Sequence, residues 1–287
     1  MPSTPTPSGL RYRPDSPIGA LALAEHRVEH PRATVVAIHG GLDRASSFTR
    51  LSRRLDDVDV IAYDRRGYQR SRPLGPGTLD QHVADLERVI AWAAPTGPVI
   101  LFGHSFGGLV AMTLAARTPG AAVVVVAFES PLPWVLARSS PTPVPGENPA
   151  LEAERFFRRV VSDSSWERLS ASEQESRRLD GPGLTADLTE MTTPIAPFEL
   201  DEIRVPVRYL YGDQRSGPYY HALARRLESA NRYFSARELA GVPHGAHLSH
   251  PDLLADEIRD AFDHASAAGT SVGGEAPTRE GKFHERR

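Results

Sequence analysis

The sequence predicts an α/β fold in which helices cover both faces of a mostly parallel central sheet. Short runs rich in β-branched residues alternate with amphipathic helical segments, a pattern typical of such sheets. The alternation stops once, at a proline-rich and then polar segment over residues 131–200, and resumes after it. We therefore expect one core formed by residues 9–130 and 201–265, with a helical insertion at 131–200 after a strand ending near Glu129.

The individual elements follow from hydrophobic periodicity. Apolar residues at Val83, Leu86, Val89 and Ile90 lie three and four positions apart and predict a helix over 79–93. The same reasoning predicts further helices at 45–55, 109–117, 151–161, 165–180, 219–227 and 251–264, and strands at 33–38, 58–63, 99–102, 122–128, 205–211 and 233–239. The termini, residues 1–8 and 266–287, contain few apolar residues and are predicted to be disordered.

Composition narrows the classes of partner. The net charge is −3, from 33 basic and 36 acidic residues that are intermixed, so neither nucleic acid nor a membrane is an expected partner. The longest apolar run, residues 121–128, is far shorter than the roughly 20 residues of a membrane span. The first residues do not resemble a signal peptide, so a cytoplasmic protein is expected. The chain has no cysteine, which excludes disulfides and thiolate chemistry, and we expect neither a metal nor a cofactor.

The most informative motif is G-x-S-x-G at residues 103–107. It follows the apolar run 99–102 directly and precedes the helical pattern 109–117. A serine on a tight turn between a strand and a helix projects its hydroxyl group, and the helix N-terminus beside it favours negative charge. Ser105 is therefore the candidate nucleophile.

Together with two earlier motifs, Ser105 makes the chain resemble the α/β-hydrolase family over residues 10–265. His39-Gly40-Gly41 follows a strand, as the oxyanion-loop motif of the family does, and residues 64–71 resemble its D-x-R-G-x-G-x-S turn. Gln69 replaces the glycine that the family usually has at the fifth position of that turn. The resemblance implies an α/β-hydrolase fold, a serine nucleophile and a cap, formed by residues 131–200, over the substrate pocket.

A serine hydroxyl needs a neighbouring base to remove its proton. Residues 241–251 resemble the late G-x-G-H segment of the family, and this alignment implies that His244 is the base. His247 is the alternative base; otherwise His247 and His250 are expected to be capping or surface residues. His39 and His104 are expected to brace the oxyanion loop and the turn at Ser105 through hydrogen bonds.

Two residues are candidates for the carboxylate that orients the base. The family usually has this acid in a G-x-x-D segment after the strand at 205–211, but here that segment reads Gly212-Asp213-Gln214-Arg215, with arginine at the acid position. A cation there disfavours a protonated histidine. Glu129 ends the apolar strand 123–128, where an acidic residue is expected to be paired. Glu129 is therefore the favoured acid and Asp213 the alternative, while a salt bridge from Glu129, for example to Arg215, is a purely structural explanation.

The remaining site groups follow from the same motifs. The resemblance implies that the backbone amides of Phe106 and Gly41 form an oxyanion hole, with Leu42 as the alternative to Gly41. Two such amides supply several kcal/mol of transition-state stabilisation. Candidate pocket residues are the apolar side chains of the insertion, which core packing would equally explain: Leu132, Trp134, Phe156 and Phe157.

These observations predict a cofactor-independent serine hydrolase, with a carboxylic ester as the favoured substrate. The expected partner is a small molecule with an apolar acyl or alcohol part. A carbon–carbon, thioester, lactone or amide bond is the alternative target, and a catalytically weak ligand-binding module is the alternative class. Ser105 disfavours the chemistry of family members that use an aspartate nucleophile.

Overall fold

The computed structural model describes residues 9–93, 97–137, 148–192, 195–214 and 216–272. Arg215, the leader at residues 1–8 and residues 273–287 of the tail predicted to be disordered lie outside these ranges. The described chain forms an eight-stranded sheet in the order β1-β2-β4-β3-β5-β6-β7-β8. The pairs β1–β2 and β2–β4 are antiparallel and the other five pairs are parallel, so the predicted mostly parallel α/β sheet is confirmed.

The strands are short and, in the centre of the sheet, buried along their whole length. Their bounds are β1 Arg11–Tyr12, β2 Leu23–His26, β3 Thr34–Ile38, β4 Asp59–Tyr63, β5 Val99–His104, β6 Val124–Phe128, β7 Val207–Gly212 and β8 Phe234–Leu239. The α-helices are α1 Thr49–Ser52, α2 Leu79–Ala93, α3 Phe106–Arg117, α4 Pro149–Val160, α5 Asp163–Glu167, α6 Ala171–Leu179, α7 Gly181–Glu190, α8 Gly217–Ala230, α9 Ala246–Ser249 and α10 Pro251–Val272.

Two hydrophobic layers sandwich the sheet. Alternate residues of β3 point to opposite faces, with Val36 and Ile38 in one layer and Val35 and Ala37 in the other. Helices α2, α3 and α8 pack on the first face, while α1 and α10 pack on the second. Burial on both faces explains why the central strands are continuous apolar runs without a polar alternation.

The structure differs from the predicted elements mainly at the edges. Strands β1 and β2 were not predicted, because they are short and carry polar residues that fit a loop equally well. The predicted helix at 45–55 is shorter: a 3-10 turn at Ala45–Phe48 followed by α1. Helix α10 continues to Val272, so residues 266–272 of the tail predicted to be disordered are helical. Residues 266–268 are exposed and include two alanines, which favour a helix without packing. Within the described ranges, no helix combines the length and apolar character needed to cross a membrane.

The segment between β6 and β7 contains the four helices α4 to α7. Asn148 caps α4 by accepting a hydrogen bond from the Leu151 amide, and Ser170 with Glu173 forms a capping box at α6. These helices meet the loops at the carboxyl edge of the sheet through a small apolar cluster: Leu42, Tyr68, Ala153, Leu184 and Leu188. The insertion therefore covers the edge of the sheet at which Ser105 lies.

A buried ion pair fixes α7 to the sheet. Arg65, in the turn after β4, donates to the Asp187 carboxylate through Nη2 at 2.6 Å and Nη1 at 3.1 Å. The Tyr68 hydroxyl also donates to Asp187, at 2.6 Å. Both charged side chains are buried, and these contacts hold the pKa of the Asp187 carboxyl below its usual range despite its burial.

A second attachment explains the unusual residue in the same turn. Gln69 has a φ of 45°, a left-handed conformation that glycine adopts at less cost. Its backbone amide donates to Asp180 Oδ1 at 2.9 Å and its side-chain Nε2 donates to Oδ2 at 2.5 Å. Asp180 precedes α7, so these two bonds join the turn to the insertion and offset the cost of the left-handed conformation.

Candidate active site

Ser105 lies between β5 and α3 in a strained backbone conformation. Its φ is 53° and its ψ is −123°, a region that side chains with a Cβ rarely occupy. Its amide donates to the Phe128 carbonyl at 2.9 Å, and its own carbonyl accepts from the Gly108 amide at 2.9 Å. The turn is therefore fixed at both sides, and Ser105 is partly exposed at the carboxyl edge of the sheet.

Close packing explains the two glycines of the motif. A Cβ on Gly103 would lie 2.3 Å from the Gly108 Cα, and a Cβ on Gly107 would lie 2.1 Å from the Ile38 carbonyl oxygen. Both distances are far below van der Waals contact, so only glycine lets α3 approach β5 and β3 this closely. The pattern G-x-S-x-G is thus a packing requirement of the turn that presents Ser105.

Glu129 and His244 form a close pair beside this turn. His244 Nδ1 lies 2.5 Å from Glu129 Oε2, and the other carboxylate oxygen accepts a hydrogen bond from the Gly212 amide at 3.0 Å. Glu129 is 1% exposed and has a φ of 45°. Its amide donates to the Leu210 carbonyl at 2.8 Å, so Glu129 continues the ladder between β6 and β7. A buried carboxylate with both oxygens bonded can fix one histidine tautomer.

Asp213 lies elsewhere. It is exposed, and its Oδ1 accepts a hydrogen bond from the Gly241 amide at 2.9 Å. The structure thus brings Glu129 to His244, while Asp213 closes the connection between β7 and the loop after β8. The predicted alternative contact of Glu129 with Arg215 falls outside the described residues.

The candidate nucleophile and the candidate base are close in space without a direct hydrogen bond. Among the described residues, no hydrogen bond joins Ser105 Oγ to His244 Nε2. The two residues are nevertheless held near one another, because His104, the neighbour of Ser105, contacts the His244 ring at a centroid distance of 4.6 Å. Catalytic hydrogen bonds are often long in an enzyme without substrate and shorten in the complex.

The loop after β3 packs directly on the turn at Ser105. A Cβ on Gly40 would lie 2.9 Å from Ser105 Cβ and 3.2 Å from the His104 carbonyl oxygen, so the two backbones approach closely. His39 orients this loop: its Nδ1 donates to the Gly40 carbonyl at 2.7 Å, and its Nε2 accepts from the Arg65 amide at 2.8 Å. Burial and the nearby Arg65 charge lower the pKa of His39 to about 3, so the ring stays neutral in this bracing role.

Two backbone positions are available for oxyanion binding. Phe106 is the first residue of α3, where an amide has no acceptor within the helix. Leu42, next to Gly41, has a φ of 54°, so the loop turns sharply at the position where the second amide is expected. The amides of Phe106 and of either Gly41 or Leu42 therefore remain the candidate pair.

The predicted pocket residues divide into two groups. Leu132 is buried in the main core and Trp134 packs on that core against Phe198, at a ring distance of 5.3 Å. Phe157 packs against Trp166 at 5.4 Å. Phe156 and Phe157 both pack against the apolar cluster that includes Leu42, and Phe156 Cζ lies 3.8 Å from a Cβ built on Gly41. The core-packing explanation thus accounts for Leu132 and Trp134, which makes them poor pocket candidates.

His247 is not a surface or capping residue, contrary to prediction. It is 2% exposed, and its Nε2 lies 3.0 Å from Asp43 Oδ2. Its ring contacts His104 at a centroid distance of 4.4 Å, so His104 lies between His244 and His247. His104 Nε2 donates to the His244 carbonyl at 2.9 Å, which joins the end of β5 to the loop that carries His244.

Sequence reasoning missed Asp43, Asp180 and Asp187. Asp43 could have been found from its position directly after a buried parallel strand, since loops at the carboxyl ends of such strands converge. The two insertion residues have no comparable signal, because polar helices carry many acidic residues on their solvent faces.

A comparison with protein families matches residues 35–257 to the alpha/beta hydrolase family. The lipase LipV of Mycobacterium tuberculosis is 36% identical over 97 residues, covering 34% of this chain and 37% of LipV. A monoacylglycerol lipase of Mycolicibacterium smegmatis is 33% identical over 97 residues, covering 31% of this chain and 35% of that enzyme. The matched segments thus span little more than a third of these relatives.

A solved structure extends the likeness to nearly the whole chain. A lipase-esterase related protein of Clostridium acetobutylicum superposes with a TM-score of 0.62 at 14% identity, covering 85% of this chain and 100% of that chain. At this identity the agreement concerns the fold alone. Since the family match covers more than half of the chain and the sheet has the same architecture, the chain belongs to the alpha/beta hydrolase family.

Proposed function

We propose that this protein is a cofactor-independent serine hydrolase that cleaves carboxylic esters through an acyl-enzyme on Ser105. The observation that carries this proposal is the buried pair of Glu129 and His244 beside a strained serine turn. A buried carboxylate bonded to a histidine, next to a projecting serine, is the arrangement that activates a hydroxyl nucleophile. The names of two relatives, a lipase and a monoacylglycerol lipase, favour an ester as the target bond.

The first half of the reaction transfers the acyl group. His244 Nε2 takes the proton of Ser105 Oγ while the oxygen attacks the ester carbonyl carbon. Glu129 accepts a hydrogen bond from Nδ1–H and stabilises the positively charged ring that results. The amides of Phe106 and of Gly41 or Leu42 bind the developing oxyanion. When the tetrahedral intermediate collapses, His244 gives its proton to the departing alkoxide, and an alcohol leaves.

The second half regenerates the serine. His244 removes a proton from water, and the hydroxide formed attacks the acyl carbonyl. The bond from the acyl carbon to Ser105 Oγ then breaks, and the oxygen recovers its proton from His244. The products are a carboxylic acid and free enzyme, so no electrons enter or leave and no cofactor is consumed.

The insertion helices act in this proposal as a cap that forms the apolar wall of the substrate site. A Cβ on Gly41 would lie 3.0 Å from Leu184 Cδ1 and 3.8 Å from Phe156 Cζ, so both side chains approach the candidate oxyanion loop. An apolar wall at this position suits a small ester with an apolar acyl or alcohol part.

Covalent labelling tests the proposal. A fluorophosphonate probe is expected to add one label to the folded protein, on Ser105, detected by intact mass and peptide mapping. Ser105→Ala should abolish labelling and the hydrolysis of p-nitrophenyl esters, while Ser229→Ala, on the exposed side of α8, should change neither. A folded protein that takes no label, or a label that survives Ser105→Ala, would refute a serine hydrolase.

A further inference from the structure

Behind the proposed catalytic histidine lies a second cluster of ionisable groups. Asp43 lies in the loop after β3, His104 ends β5 and His247 lies on α9. The cluster therefore forms where a loop, a strand end and a helix meet. One carboxylate oxygen and one ring nitrogen from each histidine lie within 4.8 Å of one another. His104 and His247 are both more than nine-tenths buried. The proposed ester hydrolysis uses none of these three side chains as an acid, base or nucleophile.

The atoms that converge have no hydrogen-bond partners among the described residues. Asp43 Oδ1 accepts bonds from the Arg44 amide and the Ser47 hydroxyl, but Oδ2 accepts none. His247 Nε2 makes an ion-pair contact of 3.0 Å with this oxygen, but the two atoms are not aligned as a hydrogen bond. His104 Nδ1 is also unsatisfied, 3.8 Å from the same oxygen. Buried polar atoms without partners are uncommon, and a bound ion is one explanation for them.

The hydrogen bond of His104 determines which of its ring nitrogens carries the proton. Its Nε2 faces the His244 carbonyl at 2.9 Å, and a carbonyl can only accept, so Nε2 carries the proton. Because the ring of a neutral histidine carries one proton, Nδ1 then presents a lone pair. Nδ1 lies 3.8 Å from Asp43 Oδ2, the carboxylate oxygen that accepts no hydrogen bond among the described residues. Two electron-rich atoms at 3.8 Å are stabilised when a cation lies between them.

We propose that Asp43 Oδ2, His104 Nδ1 and His247 Nε2 bind a divalent transition-metal ion, with Zn²⁺ as the best-fitting ion. Nitrogen and oxygen ligands of tetrahedral zinc lie roughly 3.4 Å apart, given bonds of about 2.05 Å. The observed separations of 3.0 Å and 3.8 Å bracket this value. The site has two imidazoles and one carboxylate and leaves a fourth position for solvent. The proposal departs from the sequence-based expectation of a protein without metal.

The surroundings resemble a metal site in one further respect. Histidines that bind a metal usually donate their other ring N–H to a carbonyl or carboxylate, which orients the ring. His104 does so, and its acceptor is the backbone carbonyl of His244. Metal binding would therefore stabilise the loop that carries the proposed catalytic base. This inference does not depend on the proposed ester hydrolysis.

The experiment measures metal binding directly. Untagged protein is freed of metal with a chelator and titrated with ZnCl₂ by calorimetry, and the bound metal is counted by elemental analysis after dialysis. We expect one Zn²⁺ per chain and a higher thermal unfolding midpoint with zinc than without it. Ser105→Ala should bind zinc like the wild type, so that loss of hydrolase activity and loss of metal binding are separable.

Variants locate the site. Asp43→Asn and His247→Gln should each weaken zinc binding at least about tenfold, since each removes one of three ligands. His264→Gln, at an exposed histidine of α10, is the matched control and should bind normally. If either ligand variant does not fold, the absorption spectrum of wild-type protein with Co²⁺ replaces it, with the intense visible bands of tetrahedral cobalt expected. Failure to bind zinc stoichiometrically, unchanged binding in the folded ligand variants, or an octahedral cobalt spectrum would overturn the proposal.

Discussion

Replacing Glu129 by glutamine changes one oxygen to an amide nitrogen and tests how His244 is oriented. Glutamine can keep its oxygen towards the Gly212 amide, 3.0 Å away in the wild type. Its NH₂ group then faces His244 Nδ1, where Glu129 Oε2 lies 2.5 Å away. Because that NH₂ can only donate, Nδ1 must accept and the ring proton moves to Nε2. A protonated Nε2 cannot remove the proton from Ser105.

The size of the effect follows from this tautomer change. In a serine protease, the corresponding change of the acid to its amide lowers kcat about 10⁴-fold with the geometry intact. Since each tenfold change corresponds to about 1.36 kcal/mol, the expected increase in activation free energy is about 5 kcal/mol. Stability should change much less, because both hydrogen bonds of the side chain are replaced and no cavity forms.

The assay compares kcat for a p-nitrophenyl ester in wild-type protein, Glu129→Gln and Asp213→Asn, with thermal unfolding as the folding control. Asp213→Asn should retain activity within about tenfold, because an exposed side chain that bonds only to the Gly241 amide touches no reacting group. A folded Glu129→Gln variant of near wild-type activity, or a larger loss in Asp213→Asn, would show that Glu129 does not orient His244.

Two other predictions concern stability and loop position. Asp187→Asn should lower the free energy of unfolding by about 3–5 kcal/mol in chemical denaturation, because it leaves the Arg65 guanidinium buried without its counter-ion. The low pKa of Asp187 contributes stability that is present above about pH 4 and is lost as the pH falls. The variant should therefore lose less stability than the wild type on acidification. An equal slope of unfolding free energy against pH in the two proteins would contradict this. Gly40→Ala should reduce kcat/KM about 100-fold, because the added Cβ displaces the loop from Ser105. Gly97 has open space around it, so Gly97→Ala should leave kcat/KM unchanged. Equal effects of the two substitutions would refute the idea that the loop needs glycine to pack on Ser105.

The sequence was most informative where a local pattern carries its own physical cause. The turn at Ser105 could be recognised because glycines, a buried strand and a buried helix adjoin it in the chain. Glu129 could be favoured because a carboxylate at the end of an apolar strand needs a partner, although only the structure shows that the partner is His244. His247 was misjudged because periodicity near a helix start does not reveal what lies across the sheet edge. Its neighbour Asp43 is 204 positions away in the chain, and such contacts leave no local pattern.

The position of Glu129 on the sheet has a consequence for how this chain can vary. Ser105 directly follows β5 and Glu129 directly follows β6, and these two strands are hydrogen-bonded to each other. The Ser105 amide donates to the carbonyl of the residue immediately before Glu129. Nucleophile and proposed acid are therefore spaced by one inter-strand distance, about 4.8 Å, and not by the conformation of a loop. In the proposed mechanism, the connection after Gly212 does not supply the acid. We expect that connection to accept insertions, fusion partners or altered lengths that would inactivate a relative whose acid lies there.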